Sequence, residues 1–127
     1  DLQKKRQKKK IKIFKLDFLY KEKKLKLNKH IVIKIDLEGY DFFALKGMRE
    51  IFKKSNVIIF FEFSKLLFKN HKNFNYEFER FLTRYKLNLY NLDFEKIKIK
   101  ELKYLLSKSK KNSETIGDYI ITNLKLK

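Results

Sequence analysis

A chain of 127 residues with 43% hydrophobic content is long enough to bury one core of its own. It contains no cysteine, which excludes disulfides, thiolate metal ligands and cysteine nucleophiles and makes a reducing cytoplasm the expected compartment; no apolar run reaches the roughly 18 residues of a membrane span. The net charge of +18 raises the question of a polyanionic partner. Residues 1–10 are a lysine-rich stretch with little apolar content and read as a basic flexible arm, leaving residues 11–127 as the folded part. Ile11-Lys12-Ile13-Phe14-Lys15-Leu16 alternates and predicts a strand with one buried face. Asp17-Phe18-Leu19-Tyr20 fits a short helical turn, and residues 21–29 are a basic loop. His30-Ile31-Val32-Ile33-Lys34-Ile35 is a β-branched run, strand-like and apolar enough to be central.

From Asp41 the period changes to that of a helix, with Phe42, Leu45, Met48 and Phe52 on one face and Lys46, Arg49 and Lys53 on the other. Asp41 suits the positive helix start. Gly47 interrupts the pattern, which implies close packing or an early helix end. Val57-Ile58-Ile59-Phe60-Phe61 is continuously apolar, as in a parallel strand covered on both faces. Phe74, Phe78, Phe81, Leu82 and Tyr85 recur at helical spacing. Leu87 to Leu92 alternates as a strand, Ile97 to Leu106 reads as a short helix, residues 107–117 as a loop, and Tyr119 to Leu124 as a last strand. Strands alternating with helices predict an α/β fold: a partial Rossmann-like sheet, mostly parallel, with helices on its faces and an antiparallel C-terminal edge.

Ligands of open α/β sheets bind beyond the carboxyl ends of the strands. Asp36 and Glu38 follow the strand that ends at Ile35, and Glu62 ends the strand of Val57. If these strands are neighbours, the three carboxylates meet in one crevice. Around them, Lys34-Ile35-Asp36-Leu37-Glu38-Gly39-Tyr40-Asp41, then Leu45-Lys46-Gly47, resembles the signature of the FkbM methyltransferase family. That signature reads Lys-x-Asp-x-Glu-Gly, an acidic residue two places on, and Leu-Lys-Gly. The next family strand ends in Glu, as at Glu62, and an upstream Leu-Asp pair matches Leu16-Asp17.

The resemblance implies a class I S-adenosylmethionine-dependent methyltransferase acting on a hydroxyl of a sugar or natural product. It places residues 11–124 on the later strands of that fold. The glycine-rich donor loop is not among these residues, since the three glycines are Gly39, Gly47 and Gly117. The chain, which starts at Asp1, is therefore expected to be the C-terminal part of a methyltransferase domain, using S-adenosylmethionine only together with an upstream donor-binding half. Expected catalytic residues are Asp36, Glu38 and Glu62, with Asp36 as base or acceptor-orienting group; Lys34, Gly39 and Tyr40 are expected to contact a small-molecule or glycan acceptor. The same carboxylates would suit Mg²⁺, but acidity is all that supports a metal, and none is assigned. A sheet lacking its first strands would leave a hydrophobic edge, through which self-association is expected.

Plainer readings stand beside these. Glu38 and Asp41 would serve equally as helix-start carboxylates. Glu62 has Lys34 or Lys46 as a structural partner, and His30 and His71 read as incidental surface residues. The charge has its own alternatives: a basic module holding nucleic acid or another polyanion through residues 4–10 and 21–29, or a remnant without catalysis. Of the 33 basic residues 29 are lysine and four are arginine, the residue suited to phosphate and base edges. Lysine, asparagine, isoleucine and phenylalanine are what an A/T-rich coding sequence favours. Nucleic-acid binding is accordingly not expected as the main function.

Overall fold

The computed structural model describes residues 9–108 and 115–126. Helix α1 (Leu16–Lys21) precedes strand β1 (His30–Ile35), two short helices α2 (Asp41–Lys46) and α3 (Arg49–Lys54), and strand β2 (Asn56–Ser64). Helices α4 (Lys65–Asn70) and α5 (Phe74–Arg84), strand β3 (Asn88–Tyr90), helix α6 (Ile99–Lys108) and strand β4 (Thr115–Thr122) follow. The four strands form one sheet in the order β1-β2-β4-β3.

β1 and β2 run parallel, with Ile31 opposite Val57 and Ile35 opposite Phe61. β4 is antiparallel to both of its neighbours, β2 and β3. This corrects the expected mostly parallel sheet: one strand pair is parallel and two are antiparallel. The antiparallel strand is also not an edge. It lies between β2 and β3, which leaves β1 and β3 as the edges.

The core cluster joins one face of this sheet to the helices. Ile35, Val57, Ile59, Phe61, Phe63, Leu89, Tyr119 and Ile121 supply the sheet side, and α2 to α6 supply Phe42, Leu45, Ile51, Phe52, Leu67, Phe78, Phe81 and Leu102. Phe42 is central, its ring 5.4 to 5.6 Å edge-on from Phe74, Phe78 and Phe81. Such edge-to-face pairs add about 0.5–1.5 kcal/mol each beyond their buried area. The opposite face carries Val32, Lys34, Ile58, Phe60, Glu62, Asp118 and Ile120, as strand alternation and register require. Val32 is 68% exposed and Phe60 37%, so helices cover one face among the described residues, not both.

Residues 11–15 form no strand: Ile13 is 85% exposed, and Phe14 stacks on Phe18 at 5.6 Å instead. The expected helical turn after it is α1. Gly47 divides the helical run of residues 41–54 into α2 and α3. A side chain there would crowd the Ala44 carbonyl at 3.2 Å and Lys15 at 3.4 Å. The start of α3 is closed by Asp17 from 32 residues away, accepting from Arg49 N at 2.8 Å and Glu50 N at 2.9 Å. Helix α4 was not expected. Ser64 caps it, accepting from Leu67 N at 3.4 Å. Of the basic arm, only Lys9 and Lys10 fall among the described residues, and both are exposed. Most of the expected loop of residues 107–117 lies outside them, and Gly117 belongs to β4.

Candidate functional site

β1 ends at Ile35, paired with Phe61, so Asp36 follows β1 beside Glu62, which does not end its strand as expected, because β2 runs on to Ser64. Glu62 is in turn opposite Asp118 of β4. A row of three carboxylates thus crosses the carboxyl end of the parallel pair, on the sheet face free of helices. Lys34 lies one pleat below, with its Nζ 3.2 Å from Asp36 Oδ2. The Asp36 hydrogen bond and charge, with Asp118 and Glu62 further off, hold the Lys34 ammonium above the usual lysine range. Glu62 therefore shares its field with Lys34, whereas Lys46 faces Glu77 at 3.9 Å and the rings of Phe42 and Phe43 at 4.7 Å.

The turn after β1 is built by Asp41, which is 1% exposed. Its carboxylate accepts from Leu37 N and Gly39 N, each at 3.0 Å. Asp41 thus reaches back to the loop, rather than forward to the helix. That leaves Glu38 exposed at φ +51° and Gly39 at φ +91°. Glycine is required at 39, because a Cβ would lie 2.6 Å from Leu66 Cβ and 2.9 Å from Asn70 Nδ2. Asn70 donates to the Gly39 carbonyl at 3.3 Å. Tyr40 is exposed, its ring 6.1 Å from that of Phe43.

Asp36, Glu62 and Lys34 are therefore brought together. Glu38 and Tyr40 stand on the adjoining turn, and Gly39 is packed beneath it. The sequence reading missed Asp118; its strand was placed to start at Tyr119, and the pairing of β4 with β2 is a long-range fact. The row does not converge on a metal geometry: among the described residues no three His, Cys, Asp or Glu are grouped to hold an ion. No described helix is long and apolar enough to cross a membrane.

His71 is not a surface residue. It is 7% exposed, its ring 4.3 Å from Phe43 and 5.3 Å from Phe42, and burial followed by the Lys46 charge pushes its pKa down.

No curated protein and no solved structure matched the sequence. A family model described as the methyltransferase FkbM domain matches residues 2–96, a span that contains β1, the Asp41 turn, Glu62 and β3. That match covers well over half of the chain, and the chain belongs to the FkbM methyltransferase family.

Proposed function

We propose that the chain forms the acceptor-facing part of an S-adenosylmethionine-dependent O-methyltransferase whose acceptor is a hydroxyl of a small molecule or glycan. The observation that carries this is the row Asp36, Glu62, Asp118 with Lys34 at the carboxyl ends of β1 and β2. Methylating a hydroxyl requires a base at the attacking oxygen and alignment of that oxygen with the methyl group. Asp36 is the base or the group that orients the hydroxyl, and Lys34 fixes its carboxylate. Glu62 supports it from the next strand. Glu38 and Tyr40, exposed on the Asp41 turn, contact the acceptor, and Gly39 holds that turn against α4.

The residues present do not fit the methyl donor. Gly39 is filled in by Leu66 and Asn70, Gly47 by Ala44 and Lys15, and Gly117 belongs to antiparallel β4, so no glycine cradle remains. The donor is held by a complementary unit, for which the open edge of β1 and the bare face around Val32 and Phe60 are available. Without it, the same edge draws copies of the chain together.

The test is methyl transfer from radiolabelled S-adenosylmethionine to a panel of hydroxyl acceptors by the full translation product of the gene. Asp36→Asn is expected to lower kcat by about 10²-fold or more. Full turnover in that variant would remove Asp36 from the chemistry. No transfer to any hydroxyl would favour the remnant. A second reading has one observation behind it: Lys21, Lys23, Lys24, Lys26 and Lys29 are exposed with no carboxylate in ion-pair range among the described residues. A polyanion held there would give affinity that falls steeply with salt.

A further inference from the structure

Arginine is scarce in this chain, with four residues against 29 lysines, and three of the four line one cleft. The cleft measures about 670 Å³ and lies between α2–α3 and α5, on the helical side of the sheet and away from the carboxylate row. Arg49 and Lys46 form one wall; Arg80 and Arg84, with Tyr76 and Tyr85, form the other. Tyr76, Arg80 and Arg84 recur every four residues along α5 and so share one side of it.

The arginines are not used as structural ion pairs. Among the described residues no carboxylate lies within ion-pair range of Arg49, Arg80 or Arg84. Arg80 rests on the Tyr76 ring at 5.4 Å and donates from Nη1 to the Tyr76 hydroxyl at 3.4 Å, and Arg84 lies near the Tyr85 ring at 5.9 Å; each guanidinium is ordered and keeps further N–H groups for a ligand. Glu77 and Glu79 also line the cleft, but Lys46 answers Glu77 at 3.9 Å. With Lys46 and Glu77 paired, three arginines face one further carboxylate, Glu79.

We propose that this cleft binds a compact phosphate-bearing small molecule, clasped by Arg49 from α3 and by Arg80 and Arg84 from α5. The planar fork of arginine matches phosphate oxygens bidentately, which lysine cannot do. A composition that otherwise favours lysine makes the clustering informative. The volume is that of a small-molecule site, and cations approaching from two walls suit a compact anion better than an extended strand. Tyr76 is 63% exposed and offers a ring on which a base can stack, whereas Tyr85 already packs on Phe52 and Phe81.

Calorimetric titration of the full chain at about 150 mM salt, where surface attraction is screened, uses pyrophosphate, ADP and a single-stranded RNA oligomer as probes. Saturable binding of pyrophosphate or ADP tighter than about 1 mM is expected. Tighter binding of ADP would add base stacking on Tyr76; equal binding would assign recognition to the phosphates alone. The R80Q/R84Q variant should weaken binding at least tenfold, and K23Q/K24Q, outside the cleft, should leave it unchanged. R49Q tests the opposite wall separately, should the double variant lose its helical circular dichroism. Absence of saturable binding, equal losses in K23Q/K24Q and R80Q/R84Q, or RNA bound in preference with a steep salt slope would each overturn the proposal.

Discussion

Replacing Gly39 by alanine tests the account of the turn that presents Glu38 and Tyr40. Its φ of +91° is strained for any L side chain, at about 1–2 kcal/mol. The new Cβ would stand 2.6 Å from Leu66 Cβ and 2.9 Å from the Leu66 carbonyl carbon, so backbone has to move, and overpacking of this kind costs about 1–3 kcal/mol. Displacing Asn70 from the Gly39 carbonyl removes a further bond of roughly 1 kcal/mol. Alanine stiffens the unfolded chain and returns about 0.4–1 kcal/mol. The net loss is about 4 kcal/mol, a large share of the roughly 5–15 kcal/mol of a typical domain. Urea unfolding followed by circular dichroism should show a lower midpoint with unchanged slope. Gly117→Ala is the control: its φ of +149° is also unfavourable, but the nearest atom to a new Cβ is Tyr119 Cε2 at 3.8 Å. It should cost no more than about 1–2 kcal/mol. Equal losses at the two positions, or a Gly39→Ala loss under about 0.5 kcal/mol, would refute the packing argument.

Asp17→Ala should destabilise the chain by about 1–2 kcal/mol, because two α3 N–H groups lose their acceptor; urea midpoints measure it, and Asp17→Asn should recover part of the loss. Phe78→Ala should cost about 3–5 kcal/mol, since that fully buried ring touches Phe42, Phe61, Phe63 and Phe74. His71 has its pKa lowered from 6.5 by burial and then by Lys46, against a smaller opposing effect of Glu77. Between its folded and unfolded values the unfolded chain binds more protons, so stability should fall as pH drops through and below 6.5. His71→Phe should flatten that slope in thermal melts taken from pH 7.5 to 5. Val32→Lys on edge strand β1, at a position 68% exposed, should reduce self-association in light scattering without lowering the melting temperature.

The segments that announced themselves in sequence did so through period and burial together. α5 shows a helical period because its buried side chains recur every three or four residues. The continuous apolar run from Val57 marks a strand but overstates its burial, since Val57, Ile59, Phe61 and Phe63 are buried and Phe60 is 37% exposed. Ile11-Lys12-Ile13-Phe14 misled because alternation marks a strand only where a neighbouring strand completes its hydrogen bonds, and none among the described residues is beside it. Helix α4 is six residues long, too short to establish a period. The site was legible in part. Asp36 and Glu62 follow paired residues of strands adjacent in sequence order, and a parallel crossover made their meeting predictable. Asp118 joins them through a contact between residues 62 and 118, which nothing local encodes. His71 read as superficial because a lone polar residue gives no sign that the rings of Phe42, Phe43 and Phe74 will pack around it.

The placement of β4 between β2 and β3 imposes an order on biosynthesis. Among the described residues β3 pairs with no strand except β4, and β2 has β4 along one side. At about 5–20 residues per second, a ribosome leaves β2 and its flanking phenylalanines without that neighbour for several seconds, until Thr115–Thr122 has emerged. The sheet is therefore assembled by late insertion of its third member, not by growth from one side. Until then one side of β2 has unpaired backbone groups, the kind of edge that favours intermolecular strand pairing.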